Sequence, residues 1–127
     1  MTETTLPNNT EFLLYESEDG EVRIETRLVN ESIWLNLNQL AELFSVDKSG
    51  ISRHLKNIFE TGELSRKETV AIFATVQNEG SKKVSREIEF FNLDAIISVG
   101  YRVNSLRGTQ FRIWATQRLR EYIIKGF

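Results

Sequence analysis

The segment AELFSVDKSGISRHLKN, residues 41–57, constrains this chain more than any other, because it places two amphipathic helices either side of a very short polar interruption. Leu37, Leu40, Ala41 and Phe44 recur at the i, i+3, i+4, i+7 spacing of one buried stripe, with Asn36 or Asn38 available as the N-cap. Ile51, Leu55, Ile58 and Phe59 then line one face of a second helix, expected over residues 48–61, with Asp47 as N-cap and Gly62 as its stop. Ala41 falls where the helices must cross closely, Val46 plugs the turn and Ile51 anchors the second helix to the first. Ser45 occupies the turn position where backbone sterics call for positive φ and glycine is common; a non-glycine residue there carries about 1 kcal/mol of strain.

Strands flank this pair. TEFLLYESEDGEVRIETRLVNESIWL reads as two or three short strands, with Val22, Ile24 and Leu28 on one face and ESEDGE as the hairpin loop. ETVAIFATV and VSREIEFF flank the polar, glycine-containing QNEGSKK and form a second hairpin. Val70, Ile72 and Val76 alternate on its first strand, and Val84, Ile88 and Phe90 on its second. Asn92 then caps a helix over LDAIISVGYRV, and Ser105 opens a last helix with an apolar stripe of Phe111, Trp114, Ala115, Leu119, Tyr122 and Ile123. The expected fold is α+β: a winged helix-turn-helix-like domain with N-terminal β-strands, a helix pair, a β-hairpin wing and two C-terminal helices. One domain fills residues 1–127, with residues 1–10 expected to be disordered and the whole expected to be the N-terminal part of a longer protein.

Charge is polarised along the chain. The net charge is −2, yet residues 1–45 carry nine acids against Arg23 and Arg27, a balance of −7, while residues 46–127 carry fourteen bases against nine acids, a balance of +5. Local potential rather than net charge attracts an anion within a Debye length of about 8 Å, so a basic face remains open to this chain.

If the second helix enters a major groove, Lys48, Ser49, Ser52 and Arg53 point to base edges, and Lys56 and Asn57 to phosphates. Arg53 suits guanine, since its planar fork can donate twice to O6 and N7. Gly50 would allow close approach to the duplex, and His54 is read as a packing or phosphate-contacting residue. Lys82, Lys83 and Arg86 at the hairpin would contact phosphate and add affinity without sequence choice. The alternative is a protein-protein interaction module that uses the same helix pair and hairpin without DNA.

A third set, Arg102, Arg107 and Arg112, surrounds the junction of the last two helices in GYRVNSLRGTQFRIWAT. Either these arginines pair with the acids of the N-terminal part while Phe111 and Trp114 fill the core, or they form a second phosphate-binding surface with the helix start at Ser105.

Enzymatic chemistry finds no purchase. The chain has no cysteine and a single histidine, its acids are dispersed, and no phosphate-binding loop, nucleophile elbow or HExxH motif occurs. Neither a catalytic residue, a metal ligand set nor a cofactor is expected, and no small-molecule substrate is evident. The start MTETTLPNNTEF lacks a secretory pattern and no apolar run approaches a membrane span, so a cytoplasmic location without membrane insertion is expected.

WLNLNQLAELFSVDKSGISRHLKNIFETGEL and FFNLDAIISVGYRVNSLRGTQFRIWATQRLREYIIKGF together resemble the N-terminal region of the RhuM-like virulence-protein family of bacteria, from about residue 10 onward. NLDAIISVGYRVNS and GTQFRIWAT are the most distinctive stretches. The resemblance implies a DNA-binding protein carried on pathogenicity islands, prophages and other mobile elements. The layout is also similar to the Bro-N and KilA-N type DNA-binding domains of phages and large DNA viruses. The tip NEGSKKVSRE is more basic than that family's usual acidic-glycine tip. The expected function is therefore sequence-specific binding of duplex DNA in transcriptional regulation. A homodimer is expected through the C-terminal helix, with Phe111, Trp114, Tyr122, Ile123 and Phe127 as its surface.

Overall fold

The first hairpin is closed by the polar loop that separates its strands. β1 (Glu11–Glu16) and β2 (Arg23–Val29) pair antiparallel from Glu11 opposite Leu28 to Glu16 opposite Arg23. In the loop Asp19 takes a 2.6 Å hydrogen bond from the Ser17 hydroxyl and a 3.0 Å bond from the Glu21 N–H. β3 (Ser32–Asn36) follows after a two-residue turn in which Asn30 and Glu31 both have positive φ, the primed geometry that matches strand twist. This is a computed structural model in which the described residues are 10–103 and 105–124. The expectation of disorder for residues 1–10 falls outside them except at Thr10, which is half-buried immediately before β1.

The remaining elements are α1 (Leu37–Phe44), α2 (Lys48–Glu60), the single-turn α3 (Arg66–Thr69), β4 (Val70–Glu79), β5 (Lys82–Phe91), α4 (Leu93–Val103) and α5 (Leu106–Ile124). The sheet order is β1-β2-β3-β5-β4, antiparallel throughout, so the second hairpin joins the first through β3 and β5. That junction is short, only Leu35 opposite Phe91 and Asn36 opposite Phe90. The α+β class and the order of elements agree with the reading of the sequence, with α3 added.

One face of the sheet packs against the helices. Ile33, Leu35, Leu40, Leu43, Ile51, Ile58, Val99 and Phe111 are all fully buried there. Each such side chain contributes roughly 1.5–3 kcal/mol by leaving water. On α5, Phe111 and Ala115 are buried and Trp114, Leu119 and Tyr122 pack against the same core, with Tyr15 edge-on to both Phe111 and Trp114. The stripe expected to form a dimer surface is thus turned inward at Phe111, Trp114 and Tyr122, where it packs against Tyr15 and the core on the helix-covered face of the sheet. The side chains of Ile123 and Phe127 lie outside the described residues.

The opposite face carries a second, smaller core of Val29, Trp34, Phe73 and Phe90. Arg27 closes it: 8 % exposed, its guanidinium lies 4.6 Å from the Phe90 ring centre and 5.4 Å from that of Phe12, and it donates to the Thr75 hydroxyl at 3.1 Å. Burial lowers the pKa of this guanidinium, the Glu25 carboxylate partly opposes that shift, and the faces of the Phe12, Phe73 and Phe90 rings receive the cation. The register keeps Val70, Ile72 and Val76 on one face of β4 and Val84, Ile88 and Phe90 on one face of β5, as expected, but sets the two groups on opposite faces of the sheet. Phe73 lies opposite Ile88, so Val84, Ile88 and Phe90 share the second core's face, while Ile72 and Val76 point to the other face and are 60 % and 68 % exposed.

Candidate nucleic-acid interface

The helix pair is set by local chemistry. Asn36 caps α1 in a complete capping box: its side chain accepts from the Gln39 N–H, and the Gln39 side chain accepts from the Asn36 N–H, each at 2.9 Å. At the other end Ser45 adopts φ 56° and ψ 43°, the left-handed conformation the turn requires. Arg107 fastens this strained residue by donating to its hydroxyl at 2.8 Å. The Val46 N–H returns to the Ala41 carbonyl at 3.1 Å, which orients the turn before α2 begins.

α2 starts at the expected place, though not with the expected cap. Asp47 sits at the N-cap in extended geometry, but its carboxylate takes the Ser49 hydroxyl instead of capping the helix by a side-chain bond. That bond, more than any other contact, holds the Asp47 carboxyl below the usual range. Ser49 is correspondingly less available to a ligand. Gly50 is buried, and a Cβ there would lie 2.8 Å from Val46 Cγ1 and 3.0 Å from Asp47 Oδ1. The glycine therefore serves the packing of the turn, not an approach by DNA.

Lys48, Ser52, Arg53 and Lys56 are exposed on α2, and none forms an ion pair within 4.0 Å among the described residues. Ser52 and Lys56 also reach the rim of a groove of about 520 Å³ between α2 and β5. Leu37, Leu55, Phe59 and Phe91 give it an apolar floor, and Arg66, which lies over the Phe59 ring and pairs with Glu89, forms part of its wall. His54 is half-buried on α2.

The other expected positions divide. Asn57 is exposed, but its Oδ1 accepts from Arg102 Nη2 at 2.9 Å, and the same arginine pairs with Glu63 at 2.9 Å. Arg86 is held by both carboxylate oxygens of Glu79, at 2.6 and 2.7 Å, leaving Lys82 and Lys83 exposed at the tip without an ion pair. Arg107 pairs with Asp19 at 3.4 Å and with Glu21 at 3.2 Å, both from the acidic N-terminal part. Arg112 is exposed and has no ion pair among the described residues.

Two features of this region were not read from the sequence. Arg66 and the groove depend on a strand pairing that brings β5 beside α2. Gly100 and Gly108 let α4 and α5 meet over Phe44: a Cβ on Gly108 would lie 3.1 Å from Phe44 Cε1 and 3.3 Å from Gly100 Cα. The eight-residue spacing of these glycines across two successive helices was the available signal. Among the described residues no group of three or more His, Asp or Glu is placed to hold a metal ion, and no helix is long and apolar enough to cross a membrane.

Comparison with known proteins bears on the C-terminal half. No curated protein and no solved structure matches the chain. The resemblance read from about residue 10 onward is matched from β4 and the end of α3 to the C-terminus, without the helix pair. Residues 68–127 match the model of the virulence protein RhuM family, and that match supports assigning the chain to the RhuM-like proteins.

Proposed function

We propose that this domain binds duplex DNA in a sequence-specific manner and serves as a transcriptional regulator of a pathogenicity island or mobile element. In this reading the helix pair is a helix-turn-helix, α2 enters the major groove, and the β4–β5 hairpin is a wing whose tip reaches phosphate. The observation that carries it is the unpaired, exposed set Lys48, Arg53 and Lys56 on a helix whose entry is fixed by the left-handed Ser45 turn. Arg53 is the base reader, Lys48 and Ser52 assist it, and Lys56 with the tip residues Lys82 and Lys83 contacts the backbone. Arg102 and Arg107 position elements around α2 and are not offered as phosphate ligands.

A second reading is favoured by the apolar floor of the groove beside α2, which would suit a partner protein. Selection of bound sequences from random duplexes at two salt concentrations separates the two. DNA reading predicts an enriched site and a steep fall of log K with log salt, about −0.9 per phosphate contacted. Failure of the folded domain to bind any duplex at low salt overturns it in favour of protein docking.

A further inference from the structure

Both edges of the sheet are strands, and they are protected very differently. β1 is a six-residue strand with an exposed glutamate at each end, Glu11 and Glu16. β4 is ten residues long and reads VAIFATVQNE, with no charge until its last residue, no proline, and ten consecutive pairs to β5 without a bulge. No strand among the described residues pairs with its other side. Ile72 and Val76 stand on it 60 % and 68 % exposed. On the inner face the Thr75 hydroxyl is held by Arg27, which keeps the middle of the strand in place. Natural sheets blunt such an edge with charge, proline, a bulge or a cover, because its free N–H and C=O groups template another strand.

We infer that β4 is the surface on which a second copy of this chain docks, strand against strand, antiparallel about a two-fold axis through Ala74. The sequence is self-complementary in that register. Ile72 of each copy faces Val76 of the other, Ala74 faces Ala74, and Val70 faces Asn78, so apolar side chains meet and no two like charges are opposed. β1 offers less: about such an axis its six residues give at most five facing pairs, and although Phe12 and Leu14 stand exposed on it, the register centred on Leu14 sets Phe12 against Glu16. The docked pair makes one sheet of two copies and buries the exposed apolar stripe that the monomer leaves in water. Lys82 and Lys83 lie beyond the paired span. This interface stands independently of DNA binding and is tested without DNA.

The absence of cysteine makes the test clean. Facing Cα atoms of an antiparallel pair are about 4.5–5.5 Å apart, inside the range of about 4.4–6.8 Å that a disulfide spans. Ala74→Cys should therefore cross-link two chains on mild oxidation, whereas Val76→Cys, about 14 Å from its counterpart in this register, should not. Sedimentation should show a dimer for the parent chain, loss of that dimer in Ile72→Lys/Val76→Lys with the circular dichroism unchanged, and retention of it in Leu106→Lys, an exposed change on α5. A parent chain that stays monomeric overturns the inference and leaves the edge to a strand of another protein. A dimer that survives the double lysine variant, or that cross-links at Val76 and not at Ala74, overturns it equally.

Discussion

On α2, Lys48, Arg53 and Lys56 stand exposed without an ion pair, whereas at the α4–α5 junction Arg102 and Arg107 are held by Glu63, Asp19 and Glu21. The two groups are similar in sequence, basic residues among small polar and apolar ones. What separates them is the set of neighbours that the fold brings up. At the start of α2 the Asp47 carboxylate is bonded chiefly by the Ser49 hydroxyl and feels Arg53 only as a lesser influence, while the junction arginines are in direct contact with acids from distant parts of the chain. A cation already satisfied within the protein has little left to offer a phosphate. A free one retains its full attraction.

The strongest way to break this contrast is to loosen the junction. Gly108→Val would drive side-chain atoms against Phe44 and the Gly100 backbone, and should destabilise the domain by about 1–3 kcal/mol, towards the upper end because backbone cannot swing aside. Chemical denaturation measures it. A variant as stable as the parent would mean that the junction is not closely packed and that its arginines are less fixed than their contacts indicate.

The next effect sharpens the other side. Arg53→Ala should leave the stability of the fold unchanged and remove roughly 1–3 kcal/mol of discrimination between the selected site and a random duplex. Arg102→Ala should leave that discrimination in place. Competition binding against both duplexes distinguishes them, and equal losses in the two variants would abolish the distinction between free and paired arginines.

Smaller still is the contribution of the hairpin tip. Lys82→Ala/Lys83→Ala should weaken all duplexes alike and reduce the salt slope by about 1.8, as expected when two phosphate contacts are lost. Arg86→Ala, whose side chain is held by Glu79, should change the slope less.

The mildest test is titration. The Asp19 carboxyl is held below its usual range by the Ser17 hydroxyl, then by the Glu21 N–H, with Arg107 adding to the effect. Glu63 is held low by Arg102 and then by Ser98. Carboxyls depressed in the folded state contribute stability that is present above their ordinary pKa and is lost as pH falls through the folded value. Thermal melts should therefore drop on the acid side of about pH 4. Arg107→Gln should make that drop shallower without removing it, since Ser17 remains the larger cause for Asp19. An unchanged acid limb would show that Arg107 does not bear on Asp19 in solution.

Much of the local structure was legible because near neighbours decide it. Asn36 was one of two asparagines available to cap α1, the bond from Gln39 settling the choice, and the interruption at Ser45 implied a left-handed residue. Gly62, at φ +78°, ends α2 region as its missing Cβ suggested. Asp47 shows the limit of such reasoning, since a cap residue with a serine two places on had a second partner to choose.

The sequence by itself determined the order of strands and helices, the helix pair with its turn, and the polarity of charge, because backbone sterics, capping and periodicity act over a few residues. Only the tertiary structure decided that β3 lies beside β5, that Arg27 is buried among rings, that the apolar stripe of α5 faces inward while Ile72 and Val76 face out, and that Arg107 meets Asp19 across 88 positions of chain. Those outcomes depend on which surfaces are brought together when the sheet curls. No short-range preference encodes them, because each is a choice among distant partners of the same chemical kind.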